Sequence, residues 1–96
     1  MVSFLESEIN DAGATLLAKN THLLQLGLDF NNIHDEGAFA IAKNNTLKEL
    51  YIDQNKISSA GVQALNDNRS IIVLDLGTQR TTIASLPNTK TRKDGR

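Results

Sequence analysis

Cysteine and tryptophan are absent from this sequence, proline occurs once at Pro87, and the aromatics are three phenylalanines and one tyrosine. Without cysteine there is no disulfide framework and no thiolate metal site, and the chain is indifferent to the redox state of its compartment. No apolar run approaches the ~18 residues that a membrane span needs. Met1-Val2-Ser3-Phe4-Leu5-Glu6 lacks a basic stretch followed by a long apolar one, so no secretory signal is expected and a cytoplasmic location is. A phosphate-binding glycine loop is missing, as is any serine or cysteine nucleophile with a histidine at motif spacing. These absences predict a protein that is not an enzyme and holds no cofactor.

Charge is unevenly distributed. Residues 1–79 carry ten acidic and five basic side chains, whereas 80–96 carry Arg80, Lys90, Arg92, Lys93 and Arg96 against Asp94 alone. An acidic body argues against nucleic-acid binding, and the basic tail at 81–96 is expected to be a solvated, poorly ordered end. His22 and His34 have no second histidine nearby, and Asp35 and Glu36 suit a helix start, so no metal site is expected. The stretch from Asp53 to Ser58 lacks the glycine and closing glutamate of a calcium loop. Asn44-Asn45-Thr46 and Asn68-Arg69-Ser70 match the glycosylation sequon, but both asparagines belong to a structural column and the matches read as incidental.

What the sequence does have is a 24-residue period. Ile9, Ile33 and Ile57 share a column; so do Gly13, Gly37 and Gly61, and Asn20, Asn44 and Asn68. Leu26, Leu50 and Leu74 keep the same step, with Leu28, Ile52 and Leu76, and Leu23, Leu47 and Ile71. Val2-Ser3-Phe4 extends the pattern backwards, in register with Leu26-Gly27-Leu28. The repeats therefore run 9–32, 33–56 and 57–80, preceded by a strand at 2–4, and form one domain over residues 1–80.

Each column has a physical reading. Leu26-Gly27-Leu28, Leu50-Tyr51-Ile52 and Leu74-Asp75-Leu76 alternate as half-buried strands do. A helical crossover separates them, so neighbouring strands should be parallel. Asp11, Asp35 and Ser59 stand where N-caps are expected. Helices are predicted over about 12–19, 36–43 and 60–67, with apolar stripes such as Ala14, Leu17 and Ala18. The glycine column falls in the first helical turn, where it would permit close approach of layers. Asn20, Asn44 and Asn68 are expected to end the helices in the left-handed conformation. The predicted fold class is α/β: a right-handed β-α superhelix with four short parallel strands on a concave face and three helices on a convex one.

Leu47-x-x-Leu50-x-Ile52-x-x-Asn55-x-Ile57-x-x-x-Gly61 resembles the leucine-rich-repeat consensus, and Leu23 to Gly37 repeats it. Gly13-Ala14-Thr15-Leu16-Leu17-Ala18 and Gly37-Ala38-Phe39-Ala40-Ile41-Ala42 resemble the ribonuclease-inhibitor-like class, in particular its GALA-type variant. The resemblance implies that Asn31 and Asn55 form a structural ladder to backbone of the neighbouring repeat. It implies an interaction module, a kind common among bacterial effectors delivered into host cells and also found in many other proteins. Departures begin at Asn66, where earlier repeats have alanine, continue at Gln79 in the asparagine column, and end the pattern at Thr81 and Pro87.

The structural columns are held while the outward strand positions vary, as on a scaffold with a variable surface. That surface has Gln25, Asp29, Glu49, Tyr51, Asp53 and Asp75, with Phe30 at the rim. The expected partner is a protein with a basic surface, met through acidic groups and an aromatic anchor. The plainer reading is that the carboxylates keep an exposed face soluble and Phe30 packs under a loop. A competing class is a structural, self-associating repeat fragment, because both sheet edges are open to pairing with another copy.

Overall fold

The computed structural model describes residues 1–77. Strand β1 (Val2–Ser3) is followed by helix α1 (Asp11–Ala18), β2 (Gln25–Gly27), α2 (Asp35–Ala42), β3 (Glu49–Tyr51), α3 (Ser59–Asp67) and β4 (Val73–Asp75). The four strands form one sheet in the order β1-β2-β3-β4, every pair parallel. Leu26 stands opposite Val2, Leu50 opposite Leu26, and Leu74 opposite Leu50, so the 24-residue period of the sequence is the register of the sheet. The chain is a parallel α/β solenoid. The expectations for residues 78–96, including Gln79, Thr81, Pro87 and the basic tail, fall outside the described residues.

The period-two strands turn one row inward. Leu26, Leu50 and Leu74, with Leu28, Ile52 and Leu76, are buried against Ala14, Ala38, Ile41, Val62 and Leu65 of the helices. Ile33, Ile57, Leu47 and Ile71 close the core at the loops, and Phe4, Ile9, Leu17 and Leu23 are partly buried at its N-terminal end. Small side chains let adjacent helices approach. A Cβ at Gly61 would meet Ile57 Cγ2 at 2.5 Å, Asp35 Oδ1 at 2.6 Å and Ala38 Cβ at 3.2 Å, so this position, like Gly37, has no room for anything larger.

The helix starts differ from the sequence expectation. Each helix begins one residue earlier, and the caps are Asn10, His34 and Ser58. Asp11 and Asp35 are first-turn residues of their own helices, and their carboxylates reach forward into the next repeat. Asp11 Oδ1 accepts from the backbone N–H of His34 (2.7 Å) and of Gly37 (3.0 Å). Asp35 Oδ1 accepts from the N–H of Ser58 at 2.7 Å, and its Oδ2 from the Ser58 hydroxyl. Neither His34 nor Ser58 makes a side-chain cap bond, whereas Asn10 Oδ1 accepts from Gly13 N–H at 3.0 Å. The first helix caps itself, and α2 and α3 receive carboxylates from the repeat before.

The helix ends also differ. Asn20, Asn44 and Asn68 are not left-handed. Asn44 instead donates its amide to the carbonyls of Ala18 (2.8 Å) and Asn20 (2.9 Å), and its Oδ1 accepts from the N–H groups of Thr46 and Leu47. Asn68 repeats the pattern toward Ala42 and Asn44, with Ser70 and Ile71 as its donors. Both sequon asparagines are thus buried, with the amide nitrogen engaged twice.

Asn31 and Asn55 form a third ladder where the strands end. Asn31 donates to Phe4 O at 2.8 Å and accepts from the N–H groups of Ser7 and Ile9, both at 2.9 Å. Asn55 donates to Leu28 O at 2.9 Å and accepts from Ile33 N–H at 3.0 Å.

Leu50 lies at the centre of the sheet and is fully buried. Leu50→Ala is expected to lower unfolding free energy by about 2–5 kcal/mol, read by urea titration. A loss under about 1 kcal/mol would mean that the site collapses around the smaller side chain. Asp11→Ala is expected to cost about 1–2 kcal/mol, as loss of a helix cap does. Hydrogen exchange should then rise in α2 rather than α1. Faster exchange confined to α1 would contradict the forward cap.

Candidate functional site

The row that does not enter the core faces outward from the strands. Gln25, Glu49 and Val73 lie across from one another, and Ser3, Gly27, Tyr51 and Asp75 form the next row. Gly27 leaves the place beside Tyr51 without a side chain.

Three predicted site residues form one hydrogen-bonded group. Gln25 Nε2 donates to Glu49 Oε2 at 3.0 Å, and the Tyr51 hydroxyl donates to Glu49 Oε1 at 2.6 Å. Neutral donors from two strands therefore hold the Glu49 carboxylate. The bond to Glu49, together with burial and the charges of Glu49 and Asp75, pushes the Tyr51 phenol up to about 12. Tyr51 stays a neutral donor throughout the physiological range.

The aspartates form a second group. Asp29 Oδ1 accepts from Asp53 N–H at 2.8 Å, and Asp75 Oδ1 accepts from Gly77 N–H at 3.1 Å. Partial burial raises the Asp29 carboxyl above its ordinary range; the bond from Asp53 N–H pulls it down, and the charges of Asp75 and Asp53 raise it further. Gly77 has φ +54°, and a Cβ there would collide with the Asp53 carboxylate, so both backbone and space require glycine beneath Asp53.

Phe30 stands apart from both groups. It is 50% exposed and lies where β2 passes into its loop, beside an open groove with Glu6, Glu8, Asn10, Asn32, Gln54 and Lys56. The groove is absent from the sequence reading. Its one sequence signal is that positions 6, 30 and 54 share the 24-residue column. Among the described residues no group of three or more histidine, aspartate or glutamate side chains is placed to hold a metal ion, and no helix is long and apolar enough to cross a membrane.

Residues 19–42 and 43–65 match the sequence model described as leucine-rich repeat. The described residues fold as a leucine-rich-repeat solenoid. No curated protein matches it. The two matched segments are consecutive; β1 and α1 precede them, and β4 follows them in the same sheet. Leucine-rich repeats generally mediate protein–protein contact and are typically not catalytic, and the outward rows are where such a scaffold varies without disturbing its core.

The charge crowding on this repeat face has a pH signature. Asp29 binds its proton more tightly folded than unfolded, so the unfolded state holds fewer protons and stability falls as pH rises from near 3.8 through the raised folded value. Asp29→Asn keeps an oxygen to accept from Asp53 N–H and removes the charge. The variant should be more stable than wild type at pH 7, with the gap closing as pH falls below the ordinary aspartate range. Urea titrations at a series of pH values measure this, and a gap that widens toward low pH contradicts it.

Proposed function

We propose that this leucine-rich-repeat protein is an interaction module whose strand face receives a basic surface of a partner protein. The observation that carries the reading is that Glu49, Tyr51 and Asp75 stand on rows set by the sheet register, with Asp29 and Asp53 just past the strand ends and joined through Asp53 N–H. Tyr51 supplies a rigid aromatic with a polar tip, a frequent hot-spot type. The carboxylates supply steering, acting more on association rate than on final affinity. Phe30 extends the face at its rim. The Gly-Ala helix starts at 13–14 and 37–38 and the 24-residue period support the ribonuclease-inhibitor-like, GALA-type subclass. An effector role, with action in the cytoplasm or inside a host cell, belongs to the same proposal.

A second reading rests on a different observation. At the N-terminal end Met1, Val2 and Leu24 are exposed around one shallow hollow, beside the outer edge of β1. Such an edge pairs readily with a strand of another copy, which makes self-association the alternative.

One experiment separates the two. Wild type and the variant Tyr51→Ala/Asp53→Lys/Asp75→Lys, matched by circular dichroism, are used to capture proteins from a cell lysate, and the mass of each is measured by light scattering. The interaction reading expects a partner retained by wild type and lost by the variant, with a monomeric mass for both. A mass above one chain, with equal retention by both proteins, favours self-association.

A further inference from the structure

Among the described residues the non-glycine positions with left-handed backbone are Glu6 (φ 52°), Glu8 (φ 59°), Phe30 (φ 59°) and Gln54 (φ 57°), and all of them line the one groove beside Phe30. Three of these positions are a single column. Glu6 N–H and Phe30 N–H make late ladder bonds, to Asp29 O and Asp53 O, and the chain then turns out of the sheet. That corner needs positive φ, which glycine or asparagine supplies at least cost and a bulky side chain supplies badly. Folding alone does not call for phenylalanine here, and the ring is left half exposed instead of buried. Bulky side chains held in such conformations cluster at active sites and ligand clamps.

The groove measures about 760 Å³, ample for a long side chain and its flanking backbone. Its polar groups are not equally available. Asn31 is committed to the ladder, Asn10 to Gly13 N–H, and Lys56 Nζ to Asn32 Oδ1 at 2.8 Å. The exposed Glu6 and Glu8 carboxylates and the Phe30 ring remain to meet a ligand. A planar cation fits that set: its face stacks on the ring and its edge donates to carboxylate.

We infer that this groove binds an arginine side chain from an extended segment of a partner protein, stacked on Phe30 and paired with Glu6 and Glu8. The site lies on the loops beyond the strands and shares only Phe30 with the proposed strand face, so the two are tested apart.

The test uses the full chain, isotope-labelled, titrated by NMR with a capped glycine peptide carrying one central arginine. Matched lysine and citrulline peptides serve as controls. The arginine peptide is expected to shift amide signals of residues 6, 8, 30 and 54, with lysine weaker and citrulline silent. Phe30→Asn should weaken binding about tenfold while raising the melting temperature, because asparagine tolerates the corner. Glu6→Gln/Glu8→Gln should weaken it with little change in stability. Shifts confined to Gln25, Glu49, Asp53 and Asp75 that survive Phe30→Asn would overturn the groove and leave the strand-face reading standing. Equal binding of the citrulline peptide, no shifts at all, or a lower melting temperature for Phe30→Asn would also overturn it.

Discussion

A helix of two turns leaves unsatisfied N–H groups at its start and carbonyls at its end, and a three-residue strand satisfies only its own ladder. In this solenoid the neighbouring repeat answers most of that demand through side chains. Asp11 and Asp35 reach forward to helix starts, and Asn44 and Asn68 reach back to helix ends, while Asn31 and Asn55 reach back to strand ends. The residue types follow from the need. A helix start offers only donors, so an acceptor-only carboxylate serves, and its negative charge suits the positive end of the helix dipole. A helix end offers carbonyls beside the N–H groups of the following turn, so a carboxamide with two donors and an acceptor serves both at once. A buried backbone group left unpaired costs about 1–3 kcal/mol, and a lone repeat would leave several. Stacking is therefore a condition of folding for each unit rather than a consequence of it.

The sequence made the columns legible because a parallel sheet with constant register forces identical demands every 24 residues. Strand positions, the inward row and the crowded glycines followed directly. Two assignments did not survive, for one reason: a column identifies a structural position without saying which repeat its side chain serves. Asp11 and Asp35 sit next to N-caps and were expected to cap their own helices, yet they cap the next ones. Asn44 and Asn68 end helices and were expected to turn the chain by left-handed backbone, yet they turn nothing and hold the repeat before them. The real left-handed column is Glu6, Phe30 and Gln54, and none of these types signals positive φ. Local propensity pointed elsewhere, and the geometry of leaving the sheet decided the conformation.

The same logic sorts the surface. Outward strand positions share backbone register but carry no structural duty to a neighbour, so side chains there can differ from repeat to repeat. Where they do touch, the contacts are of another kind. Gln25, Glu49 and Tyr51 join through their side chains, whereas the outward Asp29 carboxylate also holds the backbone just past β3 through Asp53 N–H. Asp29 therefore lies on the boundary between scaffold and site, and its raised proton affinity records a cost that neither role removes. The legible part of the site was its composition and charge. Its hydrogen-bonded grouping depended on which rotamers the register allows to meet, and the loop groove depended on an unsignalled backbone turn.

The N-terminal end shows what the stacking rule leaves behind. Asn20 occupies the column of Asn44 and Asn68, and its Oδ1 accepts from His22 and Leu23 N–H groups as theirs do from the equivalent residues. Its amide nitrogen has no carbonyl to meet among the described residues, because no helix end stands before it. Helix α1 likewise receives no carboxylate from behind and uses Asn10 instead, at a position where the later repeats have His34 and Ser58. One change, from a residue without a cap bond to asparagine, converts a dependent helix start into a self-sufficient one. Asn10 thus does for α1 what Asp11 and Asp35 do for the helices after them. Among the described residues nothing comparable covers Val2, Leu16 and Leu24, which remain exposed.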